Sequence, residues 1–79
     1  MEILFEKEAA KHISRLDKVT KKRIKHAIDA LPDGDVRKLQ GFYNDYRLRV
    51  GNLRILFSVE ENIIIIKDVL PRGQAYKRL

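Results

Sequence analysis

The chain has 79 residues, of which 44% are hydrophobic and 35% charged, a mixture that suits one small globular domain with a modest core and excludes a disordered segment. Seventeen Lys and Arg against eleven Asp and Glu leave a formal net charge of +6, which favours polyanionic partners such as nucleic acid or an acidic protein. No cysteine is present, which excludes disulfides and thiolate metal sites as supplements to the core.

In chain order, "EILF" at residues 2 to 5 reads as a short strand, and the acidic residues Glu6 and Glu8 that follow at once rule out a signal-peptide pattern. From Glu6 the spacing of Ala9, Ile13 and Leu16 on one face predicts a helix. Asp17 is a candidate N-cap for a second helix, with Ile24, Ala27, Ile28 and Leu31 as its buried stripe. Pro32 and Gly34 end that helix in a loop.

The period then changes from helical to alternating. Tyr46, Leu48 and Val50 alternate with Arg47 and Arg49, and Leu53, Ile55, Phe57 and Val59 alternate with Arg54, Leu56 and Ser58, the pattern of half-buried strands. Gly51-Asn52 between them is a two-residue hairpin turn with glycine first. "NIIIIKDVL" at 62 to 70 is rich in β-branched residues and predicts a well-covered strand, ended by Pro71. Its apolar run, Ile63 to Ile66, is far shorter than the ~20 residues a membrane helix needs. The order is therefore β-α-α-β-β-β, an α+β fold in which two helices cover one face of a mainly antiparallel four-stranded sheet and leave the other face open. Residues 1–79 are expected to form a single domain, soluble and cytoplasmic, with no membrane contact.

The hairpin register raises a question of charge. With 51 and 52 as the turn, Arg49 lies opposite Arg54 and shares the open face with Arg47, and directly opposed like charges destabilise a strand pair by up to about 1 kcal/mol. The last strand returns beside Arg54, so "PRGQAY" is expected to bring Arg72 and Tyr76 to the same corner. Guanidinium groups fork around phosphate oxygens and stay charged, so this convergence predicts an anion site, with an RNA phosphate as the foremost occupant. Lys38 and Gln40, just before the hairpin, either assist phosphate binding or are plain loop residues. Lys22 and Lys25, within the basic run from Lys18, either grip RNA or form the solvated face of an amphipathic helix. The predicted site lacks the clustered carboxylates or histidines that hold Mg²⁺ or Zn²⁺, so no metal and no other cofactor is expected.

The motif Tyr-Arg-x-Arg-Val-Gly, a spaced Arg-Ile, and a terminal Pro-Arg-Gly with a following Tyr resemble the RelE/ParE superfamily of toxins, on its RelE-like mRNA interferase branch. The resemblance implies a RelE-like fold and a ribosome-dependent endoribonuclease that cleaves mRNA in the A site by attack of a 2′-hydroxyl on the neighbouring phosphate, without metal. It further implies that Arg54 stabilises the transition-state charge, that Arg72 serves the departing 5′-oxygen, and that Tyr76 stacks on or orients the nucleotide. Arg47 and Arg49 stand where the best-known RelE form has lysines, and arginine is effectively never deprotonated near neutral pH, so Arg49 is expected to act electrostatically. Tyr76, Tyr46, Tyr43 and Asp45 are then the candidates for the base, while His12 and His26 belong to the helical pair on the opposite side. The implied partners are a cognate antitoxin, the ribosome with its mRNA, and operator DNA through the antitoxin only. ParE-like members keep the fold and poison DNA gyrase, and a degenerate toxin acting only as a co-repressor is a third outcome.

Overall fold

The computed structural model describes residues 2–39 and 45–71. Its elements are β1 (Glu2–Phe5), α1 (Lys7–Ser14), α2 (Lys18–Asp29), β2 (Asp35–Lys38), β3 (Asp45–Val50), β4 (Leu53–Glu60) and β5 (Ile63–Pro71). Asp17 caps α2 as its sequence position predicts: its carboxylate accepts the Thr20 backbone N–H at 3.1 Å and the Thr20 hydroxyl at 2.5 Å. The hydroxyl bond, with the backbone bond behind it, holds the Asp17 carboxyl below the usual carboxylate range. At α1 the cap is Glu6, whose side chain makes no such bond. That helix depends on its packing instead.

The sheet order is β1-β5-β4-β3-β2, with β1 parallel to β5 and every other pair antiparallel. Two helices on a mainly antiparallel sheet match the expected α+β order, but the sheet has five strands rather than four. The additional strand is β2, whose sequence "DVRK" carries a single apolar residue, Val36. Its strand geometry comes from pairing with β3, a tertiary contact that outweighs the weak local signal.

The β3–β4 hairpin has the expected register, with Val50 opposite Leu53, Arg49 opposite Arg54 and Leu48 opposite Ile55. Gly51 turns at φ 57°, a conformation that glycine adopts without a Cβ penalty. Between helices and sheet lies the main core of Ala9, Ile24, Ile28, Leu48, Ile55, Phe57, Ile64, Ile66 and Val69, and each large aliphatic side chain buried there stabilises the fold by roughly 1.5–3 kcal/mol. Tyr46 stacks on Phe57 at the margin of this core, with ring centroids 5.5 Å apart.

The expectation that the second face is open needs correction. Leu39, Leu56 and Leu70 form a separate buried cluster there, and Arg47 and Arg54 are themselves buried. Long arginine stems lie down on apolar surface, and this sheet has a thin second core beneath its charges. An extra residue in β5 opposite the Leu56–Phe57 step forms a bulge. It shifts the alternation of β5 by one residue, so that Ile64 and Ile66 before it and Val69 after it all reach the main core. Beside it, Lys67 Nζ meets Asp45 at 3.1 Å and Asp68 meets His12 Nδ1 on α1 at 2.5 Å. No helix among the described residues is long and apolar enough to cross a membrane.

Candidate phosphate-binding site

On the face away from the helices, register places Arg47 and Arg49 of β3 beside Arg54 of β4, and Leu70 of β5 opposite Arg54. The chain thus leaves β5 next to Arg54, as the sequence predicts, but Arg72 and Tyr76 lie outside the described residues, as do Gln40 and Tyr43.

The three arginines differ in their surroundings. Arg54 has only 9% of its surface exposed, and its Nε and Nη1 are buried without a hydrogen-bond partner among the described residues. Arg47, equally buried, donates from Nη1 to the Asp35 carbonyl at 3.2 Å and lies 3.5 Å from the Asp35 carboxylate. Arg49 is exposed. One arginine is therefore tied to the β2 edge, one stands at the surface, and one is held inside with hydrogen-bonding capacity to offer. A buried guanidinium left unpaired is costly, and an incoming phosphate supplies the missing acceptors and the counter-charge together.

Register also moves several sequence candidates away from this face. Lys38 pairs with Tyr46, whose ring packs at the helix-side core, so Lys38 belongs to the opposite side of the sheet. That same packing withdraws Tyr46 as a proton acceptor for the arginine face. Asp45 does face the arginines' side but pairs with Ser58 and is engaged by Lys67, roughly 14 Å along β3 from Arg49 at ~3.4 Å per residue. Lys22 and Lys25 are exposed on α2, on the far side of the sheet. His12 is committed to Asp68, with Glu8 at 3.9 Å from its other nitrogen. An apolar groove of ≈ 470 Å³ lined by Ile3, Phe5, Ile13, Ile24 and Ile28 also lies on the helix side and contains none of these arginines.

Sequence reasoning missed Arg37 and Asp35, which β2 adds to the arginine face opposite Arg47 and Arg49. The one available signal was Val36 between charged neighbours, a fragment of period two too short to separate from loop. Among the described residues no group of three or more His, Cys, Asp or Glu side chains is placed to hold a metal ion.

A pair of helices laid on one face of a five-stranded, mostly antiparallel sheet is the arrangement of the RelE-like fold. The family model described as "ParE toxin of type II toxin-antitoxin system" matches residues 3–76, and the chain belongs to that family, as a RelE-like member of the RelE/ParE superfamily. It is 34% identical over 84 residues to Toxin RelE3 of Methanocaldococcus jannaschii, covering 96% of either chain. Among solved structures it is similar to a chain of the RelB-RelE antitoxin-toxin complex from Methanococcus jannaschii, with TM-score 0.80, 32% identity, and coverage of 96% of this chain and 98% of that one. The RelE-RelB complex of Pyrococcus horikoshii OT3 gives TM-score 0.78 at 28% identity, covering 92% and 96%. The E. coli RelBE complex, at 15% identity and TM-score 0.71 over 91% and 96%, shares the fold.

Proposed function

We propose that this chain, acting as a single domain, is a ribosome-dependent endoribonuclease that cleaves mRNA in the A site and is neutralised by a cognate antitoxin. The observation that carries the reading is Arg54, a buried guanidinium with two nitrogens unpartnered among the described residues and a second arginine directly opposite. In the reaction the RNA 2′-oxygen forms a bond to phosphorus and the bond to the 5′-oxygen breaks, leaving a 2′,3′-cyclic phosphate and a 5′-hydroxyl. Negative charge grows on the non-bridging oxygens, and fixed donors aimed there lower the barrier without reorganising. Arg54 supplies such donors, Arg49 adds a permanent charge, and Arg72, two residues beyond Leu70 in the chain, serves the departing 5′-oxygen. Tyr76 stacks on or orients the nucleotide. With Tyr46 and Asp45 engaged elsewhere, the proton acceptor lies among Tyr76, Tyr43 and the ribosome itself.

The partner reading rests on the archaeal relatives, both of which were solved as complexes of RelE with RelB. A basic chain of net charge +6 suits an acidic antitoxin segment, and operator DNA is reached through that antitoxin. Dependence on the ribosome assigns the action to the cytoplasm.

Primer extension on a defined mRNA, naked and under translation, tests the reading. Cuts confined to ribosome-occupied codons are expected, and Arg54→Ala should lower the single-turnover rate on the order of 10²–10³-fold. An intact message under active translation sinks the nuclease reading and turns attention to inhibition of gyrase supercoiling by the same protein.

A further inference from the structure

We propose that Arg37, on the edge strand β2, is a phosphate contact for single-stranded RNA that extends the Arg54–Arg49 site across the sheet. The inference rests on the reading of the arginine face as an RNA site. β2 runs antiparallel to β3 with Asp35 opposite Arg49 and Arg37 opposite Arg47, so both β2 residues share the face that carries Arg54. The sheet thus holds two directly opposed arginine pairs, Arg49 with Arg54 and Arg37 with Arg47, on one face of consecutive strand pairs.

Opposed like charges destabilise a strand pair, and the second pair is relieved on one side only. Arg47 is buried and bound to Asp35. Arg37 is exposed, and no hydrogen bond or ion pair of its side chain occurs among the described residues. Asp35, two residues away on the same face of β2, is already engaged by Arg47, which leaves the Arg37 guanidinium available to an external anion.

Spacing favours a polymer over an isolated ion. With strands ≈ 4.8 Å apart and ≈ 3.4 Å per residue, the Arg37 Cα lies roughly 12 Å from that of Arg54, with Arg49 between them. A lane of cations at that pitch suits successive backbone phosphates, and such contacts bind without reading sequence. Arg37 therefore contributes affinity and orientation, while the chemical step stays with Arg54.

The test is fluorescence anisotropy with a short single-stranded oligonucleotide carrying a 2′-deoxy substitution that blocks cleavage, measured across a salt series. Arg37→Ala should weaken binding at low salt and reduce the slope of log K against log salt by about 0.7, the value for one phosphate on a single strand. Arg37→Lys should keep the slope, and Lys11→Ala on the outer side of α1 should leave it unchanged. In the ribosomal cleavage assay Arg37→Ala should raise KM with the first-order rate intact. An Arg37→Ala slope equal to wild type overturns the proposal, and an unchanged RNA slope with weakened antitoxin binding reassigns Arg37 to a protein contact. If the wild-type protein leaves translated mRNA intact while Arg37→Ala still lowers the slope, the nuclease reading fails and the phosphate contact stands. Cleaving wild-type protein with an unaffected Arg37→Ala slope gives the reverse.

Discussion

Arg54 and Arg47 point from the same sheet face and are almost equally buried, yet their environments assign them different work. Arg47 has Asp35 as acceptor and counter-charge. Arg54 has two nitrogens without a partner among the described residues, and a buried guanidinium that is poorly compensated carries a net desolvation penalty. Replacing it with an apolar side chain of similar length should therefore remove function and increase stability together. We expect Arg54→Met to abolish cleavage while raising the Tm by several degrees, since a domain of this size gains about 4–8 °C per kcal/mol and replacing an ill-compensated buried charge yields ~1 kcal/mol or more. Arg47→Met, which deprives Asp35 of its partner, should bring no such gain. Thermal melts of both variants decide the matter, and a lower Tm for Arg54→Met would show that its guanidinium is already compensated in the free protein.

At the scale of elements, two hairpins of equal loop length use unequal chemistry. Gly51-Asn52 joins β3 to β4 and Glu61-Asn62 joins β4 to β5, with first residues at φ 57° and 52°. A residue with a Cβ is strained in that conformation by about 1 kcal/mol or more, and Gly escapes the strain at some cost in unfolded-chain entropy. Glu61→Gly makes the second turn chemically like the first and should stabilise the protein by about 0.5–1 kcal/mol, read as a higher urea midpoint at unchanged m-value. A lower midpoint would mean that Glu61 makes a compensating contact. The same contrast explains what the sequence discloses. The β3–β4 hairpin is legible because alternation and Gly51 agree, and with it come the opposition of Arg49 to Arg54 and the approach of Leu70. The second turn hides its geometry behind a glutamate, β2 owes its form to pairing, and the bulge that shifts the alternation of β5 between Ile66 and Val69 has no local signature. Asp35's hold on Arg47 is invisible for the same reason, because it depends on a strand that propensity alone does not indicate.

Across the whole molecule, the basic charge is divided by the sheet into two surfaces with different expected roles. One is the arginine face, where Arg54 and Arg47 are buried and fixed. The other is α2, where Lys18, Lys21, Lys22, Arg23 and Lys25 stand exposed on flexible, strongly hydrated stems. Charges of the second kind raise encounter rates with a polyanion and are screened by salt, whereas donors of the first kind act on the bound substrate. Neutralising Lys22 and Lys25 to Gln should therefore slow association with the ribosome and flatten its salt dependence, while single-turnover cleavage at saturating protein is preserved. Arg54→Ala should show the opposite division, with association retained and the chemical step lost. Stopped-flow association over a salt series, paired with single-turnover cleavage, separates the two effects. If the double Gln variant lost the chemical step and kept its association rate, α2 would have to be seated against the reacting RNA, which its place on the far side of the sheet forbids; the assignment of the arginine face as the active surface would then be wrong.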